Sequence, residues 1–344
     1  LTMVKKFFRN SLPPRRRVQA ERMRIGFSAA YATLSGYIVI SGGIFRSPLA
    51  FRARIIYNVE NEKQGKKREM KISELFNIKK AVWSFEVFPP KPTADMSVVH
   101  KTLAELAELS PDYVSVTCGA GGTGNRRTAE IARIIGSELK IEPLAHLTCI
   151  NSSKEDVEKS LAELTEAGVT NILTLRGDRV PGAEESKDFK HASDLATFVR
   201  AHGDFDLGGA CYPECHPESA SPEEDVENLK KKIDAGVTHL NTQLFFDNDD
   251  FYRFCDRLDK AGITVPVQAG IMPLVKKSHV DRTIGLSGAK LPGKISRMIA
   301  RFYDDPDSLM AAGIAYATDQ ITDLLSAGAR GIHLYVMNNP YVAR

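Results

Sequence analysis

The first 69 residues are short of acid: four Asp/Glu stand against fifteen Lys/Arg, which leaves 31 basic and 39 acidic groups for residues 70–344. The formal charge of +3 therefore averages a basic leader at +11 and a remainder at −8. No nucleic-acid-binding motif accompanies the leader's charge, so no nucleic-acid partner follows from it. The uncharged stretch from Ile25 to Phe45 is long enough to cross a bilayer, but its Ser, Thr and Tyr, with Gly36, Gly42 and Gly43, make it a poor span. Three readings of the leader compete: an Arg-rich transit peptide around Arg15-Arg16-Arg17, a basic-flanked anchor, or upstream sequence outside the working protein. Met70-Lys71-Ile72-Ser73 reads as a natural start and favours the last. The expected division is a leader over residues 1–69 and one large α/β domain over 70–344. The chain also lacks a standard pair of C-x2-C hooks among its five cysteines. Cys211, Cys215 and His216 are neighbours, yet a zinc site wants four well-placed ligands. The expectation is no metal and reduced thiols, as in the cytoplasm.

What the chain does have is a carboxylate inside an apolar run. Val82-Trp83-Ser84-Phe85-Glu86-Val87-Phe88 reads as a strand and stops at Pro89-Pro90, with Glu86 near its C-terminal end. Burying a lone ionised carboxylate costs several kcal/mol unless it is partnered or protonated. Such a residue is a candidate for chemistry, although a Glu facing solvent from an edge strand would look the same.

Four phrases, Ala167-Gly168-Val169, Ala235-Gly236-Val237, Ala261-Gly262-Ile263 and Ala327-Gly328-Ala329, each follow a helical pattern and precede an apolar run. Glycine just past a helix supplies the left-handed stop, so each reads as a helix-to-strand joint. Ser152 with Glu155 and Ser221 with Glu224 fit capping boxes, with Pro222 at a first turn. Val226, Leu229 and Ile233 form an apolar helical stripe. Candidate strands end near Phe88, Gly119, Ile150, Asp178, Glu214, Asp247, Pro273 and Asn339. Eight strands alternating with helices predict a (β/α)8 TIM barrel. The runner-up is a doubly wound sheet, for which Gly119-Ala120-Gly121-Gly122-Thr123-Gly124 supplies G-x-G-x-x-G. That fingerprint needs an acidic residue near the end of the next strand, where His146, Thr148 and Cys149 stand instead.

Glu86, Thr117, His146, Asp178, Tyr212, Glu214, His216, Gln243 and Tyr335 all fall at or near C-terminal strand ends. A barrel gathers such positions on one rim, where barrel active sites are built. Singly, each has a structural explanation: His146 as a satisfied core histidine, Asp178 as a helix cap.

Six ordered strings carry a resemblance: Ser84-Phe85-Glu86-Val87-Phe88-Pro89-Pro90; Val116-Thr117-Cys118-Gly119-Ala120-Gly121-Gly122; His146-Leu147-Thr148-Cys149; Leu175-Arg176-Gly177-Asp178; Tyr212-Pro213-Glu214 with His216-Pro217-Glu218; and Thr242-Gln243-Leu244-Phe245-Phe246-Asp247. From about Met70 onward the chain resembles the methylenetetrahydrofolate reductase family in its short bacterial form. The resemblance implies non-covalent FAD on the barrel rim, NADH or NADPH as hydride donor, and reduction of 5,10-methylenetetrahydrofolate in two half-reactions. It implies Glu86 as general acid, Asp178 beside the flavin, Gln243 on the pterin edge, and Tyr335 with Glu86 and Gln243 around the substrate. Around FAD it implies Thr117, His146, Leu175, Arg176, Gly177, Asp178, Ala192, Ser193, Asp194, Tyr212, His216, Asp225, Asn228, Lys231 and Lys232. The lysine pair suits a diphosphate, its alternative being a solvated helix face. The implied partners are small molecules, folate and a nicotinamide dinucleotide, without nucleic acid or membrane, in a cytoplasmic homo-oligomer or beside a partner redox subunit.

Several positions depart from the family pattern. His191 stands where relatives often carry a tyrosine. Lys276, Lys277, His279 and Thr283 stand where some place a glutamine and an aromatic, so the choice of nicotinamide cofactor does not carry over. Tyr335 and Asn338 match the last rim motif, while Asn339 replaces an arginine of some relatives. Two rival functions remain at this stage. A proline-dehydrogenase-like FAD barrel would need arginines where Asn338 and Asn339 stand. A non-catalytic or ferredoxin-linked flavoprotein subunit would not need both Glu86 and Gln243.

Overall fold

The computed structural model describes residues 37–40, 43–46, 70–90, 95–118, 125–179, 182, 184–280 and 289–344. Residues 1–68 and 69–344 form separate compact units. In the first, β1 (Tyr37–Ile40) pairs antiparallel with β2 (Gly43–Arg46). The arginine run of the leader and the segment Gly119 to Gly124 lie outside the described residues. No helix among those described is long and apolar enough to cross a membrane.

The second unit is the predicted barrel. Strands β3 (Val82–Val87), β4 (Tyr113–Val116), β5 (Glu142–Thr148), β6 (Asn171–Leu175), β7 (Asp206–Cys211), β8 (Val237–Thr242), β9 (Val267–Ile271) and β10 (Gly331–Tyr335) form one closed sheet. Each pairs in parallel with its successor, and β10 returns to β3 with Tyr335 opposite Glu86. A closed parallel sheet rules out the doubly wound alternative. The strands end one to five residues before the positions predicted from sequence. The apolar residues beyond them are buried by loop packing instead of by the ladder. Phe245 and Phe246, 0% and 3% exposed after β8, are the clearest case.

Around the sheet lie α2 (Met96–Ala107), α3 (Asn125–Arg133), α4 (Lys154–Glu166), α5 (Ala192–His202), α6 (Pro222–Asp234), α7 (Asn248–Lys260), α8 (Gly293–Phe302), α9 (Pro306–Ser326) and the short α10 (Pro340–Ala343). Their apolar stripes pack on the outward strand faces, with Val226 and Leu229 buried and Ile233 packed beside them. The predicted joints hold: Gly168, Gly236, Gly262 and Gly328 all take positive φ. One helix start shifts by a residue. Ser153, not Ser152, caps α4, accepting from the Asp156 amide while Asp156 accepts from the Ser153 amide. Ser221 caps α6 as read, accepting from the Glu224 amide, although Glu224 reaches back to the Ala220 amide.

A further helix, α1 (Ile72–Ile78), closes the N-terminal mouth of the barrel. Ile72, Leu75 and Phe76 pack against Val82, Tyr113, Leu144 and Leu173 of the interior. The exposed N–H groups that begin any helix need acceptors, and here strand side chains provide them. Asn171 Oδ1 accepts from the Ile72 amide at 3.0 Å and Asp206 Oδ2 from the Ser73 amide at 2.8 Å. Asp206 Oδ1 also takes the hydroxyls of Ser73 at 2.9 Å and Thr238 at 2.8 Å. Asp206 is 2% exposed, so removing it strands several buried donors, at about 1–3 kcal/mol each. Asp206→Ala is expected to lower unfolding free energy by roughly 2–5 kcal/mol in urea titrations. Asp206→Asn, which keeps one acceptor oxygen, should lose markedly less; equal losses would dismiss the cap.

Candidate active site

Alternate residues on a strand share a face, and many that face the barrel interior here are polar. Ser84, Glu86, Ser115, His146, Asn241, Gln268 and His333 are each less than a tenth exposed. Glu86 is the hub. His146 Nε2 and His333 Nε2 each lie 3.5 Å from the same oxygen, Glu86 Oε2. His146 Nε2 is also 2.5 Å from Ser115 Oγ, and His333 Nδ1 is 2.7 Å from Ser84 Oγ. Burial drives the His146 pKa down to about 4, against the pull of Glu86, so at neutral pH this imidazole is uncharged. The Glu86 carboxyl thus sits in a buried polar layer, beside the uncharged imidazole of His146.

Tyr335 stands one ladder step across from Glu86, and its phenol donates to Thr242 O at 2.8 Å. To get there it passes over Gly270, where a Cβ would lie 2.4 Å from Thr242 O and 2.9 Å from the Tyr335 ring. Thr242 Oγ1 accepts from the Gly270 amide at 2.8 Å, so side chains complete the β8/β9 seam at this level. Gln243 follows, half-buried, its Oε1 accepting from the Leu244 amide at 2.9 Å. With Tyr212, Glu214 and Ala289 it lines a recess of about 30 Å³. Asn338 clips the last rim loop to the first strand, accepting from Phe88 N at 2.8 Å and donating to Phe88 O at 2.9 Å. Asn339 caps α10 by accepting from Tyr341 N at 3.2 Å.

The remaining rim positions form a second group. Arg176 follows Leu175 at the end of β6 and makes a two-pronged ion pair with Glu218, at 2.5 and 2.9 Å. Arg179 joins at 2.8 Å, and the two guanidiniums hold the Glu218 carboxyl down at about 2. Gly177 takes φ +92 against Thr148 and Ile150, and Asp178 beyond it is exposed. Tyr212 packs edge-on to His216 at 4.6 Å, and burial pushes its phenol up to about 12. Asp225 Oδ2 accepts from the His216 amide at 3.1 Å. Ala192, Ser193 and Asp194 make the first turn of α5, Asp194 accepting from the amides of Lys190 and His191. Thr117 continues the β3–β4 ladder through its amide to Val87 O at 3.0 Å.

The two lysines take different partners. Lys231 is exposed and donates to Asn228 Oδ1 at 2.9 Å. Lys232 turns inward to Ala210 O at 2.9 Å, makes no ion pair among the described residues, and has its pKa lowered by burial. On the altered loop, Lys277 lies 4.0 Å from the centre of the Tyr303 ring and pairs with Asp304 at 3.2 Å. Thr283 lies outside the described residues.

The sequence model of the family "Methylenetetrahydrofolate reductase" matches residues 71–343, which is most of the chain. The chain belongs to the methylenetetrahydrofolate reductase family. A 5,10-methylenetetrahydrofolate reductase of Pectobacterium carotovorum is 36% identical over 256 residues, covering 74% of this chain and 85% of that protein. The Escherichia coli enzyme is 34% identical over 255 residues, covering 74% and 86%. A probable NADH-dependent rice reductase is 34% identical over 283 residues, but the chain covers only 48% of it. A Clostridium thermocellum protein solved with 5-methyl-5,6,7,8-tetrahydrofolic acid superposes with a TM-score of 0.52 at 13% identity, covering 80% of this chain and 97% of that one; this likeness concerns the fold. As a family member the chain is an oxidoreductase of folate one-carbon metabolism that reduces methylenetetrahydrofolate.

For this family member, reading strand ends alone missed the second layer. Ser84 and His333 sit two residues before Glu86 and Tyr335, and Ser115 and Asn241 two before Thr117 and Gln243. Stepping back by two along each strand would have found them. Glu218 was visible only as part of a motif.

The buried imidazoles make the fold acid-sensitive. His146 and His239 both have pKa values pushed below 6.5 by burial. As pH falls below 6.5 the unfolded chain takes up protons that the folded barrel refuses, so stability is lost on acidification. For His146 the window runs from 6.5 to about 4, and at ~1.4 kcal/mol per unit the loss is roughly 3 kcal/mol. Urea midpoints between pH 7 and 4.5 should fall less steeply in His146→Gln than in the unsubstituted protein. Parallel curves would show that His146 is not held neutral.

Proposed function

We propose that the barrel binds FAD non-covalently, accepts hydride from NADH or NADPH, and reduces 5,10-methylenetetrahydrofolate to 5-methyltetrahydrofolate with Glu86 as the proton donor. The observation that carries this reading is the buried carboxyl of Glu86 at the base of the rim, flanked by two ring nitrogens at 3.5 Å.

The residues present fit a flavin dinucleotide. Lys232 is a largely enclosed ammonium bonded to a neutral carbonyl, and a diphosphate would supply its missing counter-charge. The Arg176 fork, engaged by Glu218, has the geometry that grips a phosphate equally well. His146, Tyr212 and His216 with Gly177 would lie against the isoalloxazine, and Thr117, Leu175, Ala192, Ser193, Asp194, Asp225 and Asn228 would complete the site. When bound, the flavin supplies the hydride.

The chain's own groups handle the proton. Opening the methylene bridge requires protonation of the departing nitrogen, and Glu86 makes that transfer as general acid. Once the proton has gone, the carboxylate faces His333 Nε2 and His146 Nε2, preplaced donors of the kind that stabilise developing charge without reorganisation. Gln243 offers an amide donor and acceptor to the pterin edge. Tyr335, its hydroxyl engaged by Thr242 O, would line the substrate site beside Glu86. Asp178 favours the cationic iminium by its charge.

Two measurements test this. Glu86→Gln keeps the shape and removes the acid, so stopped-flow should show folate reduction slowed by about 10²–10⁴-fold, with flavin reduction by NADH or NADPH only modestly changed. Equal losses in both steps would mean a damaged pocket, and an unchanged folate step would remove Glu86 from the role. For the cofactor, Lys232→Ala should weaken FAD retention, read by flavin fluorescence on dilution, by at least tenfold, a change of about 1.4 kcal/mol. Lys231→Ala should change it less than threefold. Equal effects of the two would contradict the division between them.

A further inference from the structure

Behind Glu86 lies a buried polar chain that the reaction does not touch directly. Gln268 of β9, 0% exposed, donates through Nε2 to Ser84 Oγ at 2.8 Å, Ile332 O at 2.8 Å and Val82 O at 3.1 Å. Its Oε1 lies 2.6 Å from the phenol of Tyr113, which in turn accepts from Asn241 Nδ2 at 3.0 Å. An amide's oxygen and nitrogen are normally told apart by their partners. Here two backbone carbonyls can face only the nitrogen, and the phenol proton finds the oxygen.

That orientation has a consequence two residues away. The amide nitrogen is a donor only, so it cannot take the Ser84 hydroxyl proton. Two acceptors face that proton: the Tyr113 phenol oxygen, which already takes a hydrogen from Asn241 Nδ2, and His333 Nδ1, the stronger base, 2.7 Å away. A neutral imidazole that accepts at Nδ1 carries its hydrogen at Nε2, and His333 Nε2 points at Glu86 Oε2 from 3.5 Å. Tyr113 stacks on the His333 ring at 6.2 Å and 18°, and Tyr335 meets it edge-on at 5.1 Å.

We propose that Gln268, oriented by Tyr113 and Asn241, is a positioning residue that sets the tautomer of His333 through Ser84 and so keeps an N–H aimed at Glu86. The proposal rests on Glu86 being the proton donor, and it extends that reading to residues from β4, β8 and β9 that never meet substrate. The titratable groups facing Glu86 are His146, His333, Tyr335 and Tyr113, and the positioning acts on His333 among them.

Without the Gln268 amide, Val82 O and Ile332 O are left bare beside Ser84 and compete for its proton. Ser84 can then accept from His333 Nδ1, which removes the hydrogen from Nε2. The test uses the full chain with ¹⁵N-labelled histidine, the His333 signals being assigned by their loss in His333→Asn. The unsubstituted protein should show His333 as the Nε2–H tautomer, and an Nδ1–H tautomer there would overturn the proposal without any variant. Gln268→Met should shift His333 toward Nδ1–H, slow folate reduction by about tenfold or more and displace its pH profile, leaving flavin reduction unchanged. In a double-mutant cycle, Gln268→Met should cost little further in a Ser84→Ala background, since both act through one hydroxyl. Additive losses, or an unmoved tautomer, would reduce Gln268 to a structural residue. The tautomer is read without substrate, so its outcome stands apart from whether the protein reduces methylenetetrahydrofolate.

Discussion

Everything in this barrel accommodates one carboxyl group placed where water is excluded. A buried charge or unpaired polar atom costs several kcal/mol, so Glu86 requires an interior built around it. Barrel interiors are ordinarily filled by branched apolar side chains. Here such residues, Val82, Leu144 and Leu173, are confined to the end closed by α1. Above them the interior turns polar, and hydrogen bonds from five strands converge on the layer beneath Glu86. An interior of this kind is rigid because partly satisfied networks are costly. A carboxyl held in it has its neighbours fixed in advance.

The rim follows a different physics. Its charges are partly exposed, and several are paired with one another. Glu218 neutralises Arg176 and Arg179 while an enclosed Lys232 keeps only a carbonyl. Surface ion pairs contribute little to stability, so the Arg176–Glu218 fork is better suited to exchange than to holding the fold. Interior and rim meet at Tyr335, Thr242 and Gly270, where the small residue allows the phenol to lie across the strand seam. A buried, hydrogen-bonded interior and a partly exposed, charged rim thus stand side by side within one scaffold.

Much of this was legible in the chain. The alternation of strands with Gly-stopped helices and the ordered motifs led to the barrel, and the position of Glu86 before two prolines led to the expectation of chemistry on its C-terminal rim. Strand ends were overextended because Phe245 and its like are apolar for loop packing, which a local pattern cannot distinguish from a ladder. The cap at Ser153 was misplaced by one residue because Ser152 and Ser153 both have an acidic residue three positions on. Lys231 and Lys232 looked like a pair in sequence, whereas adjacent helix positions diverge by about 100°. His333, Gln268 and Tyr113 were passed over because no local feature marks them.

By itself, then, the sequence determined the elements, their order and the residues able to do acid chemistry or bind anions, because propensity, capping and hydrophobic period act over a few neighbouring positions. Closure of the sheet decided what those residues face. Glu86 and His333 are separated by 247 positions, and only the return of β10 onto β3 sets them side by side. The orientation of the Gln268 amide, the path of the Ser84 proton and the parting of the two lysines are likewise tertiary. Hydrogen-bond direction depends on which partners a buried atom meets in space, and those come from strands far apart in the chain.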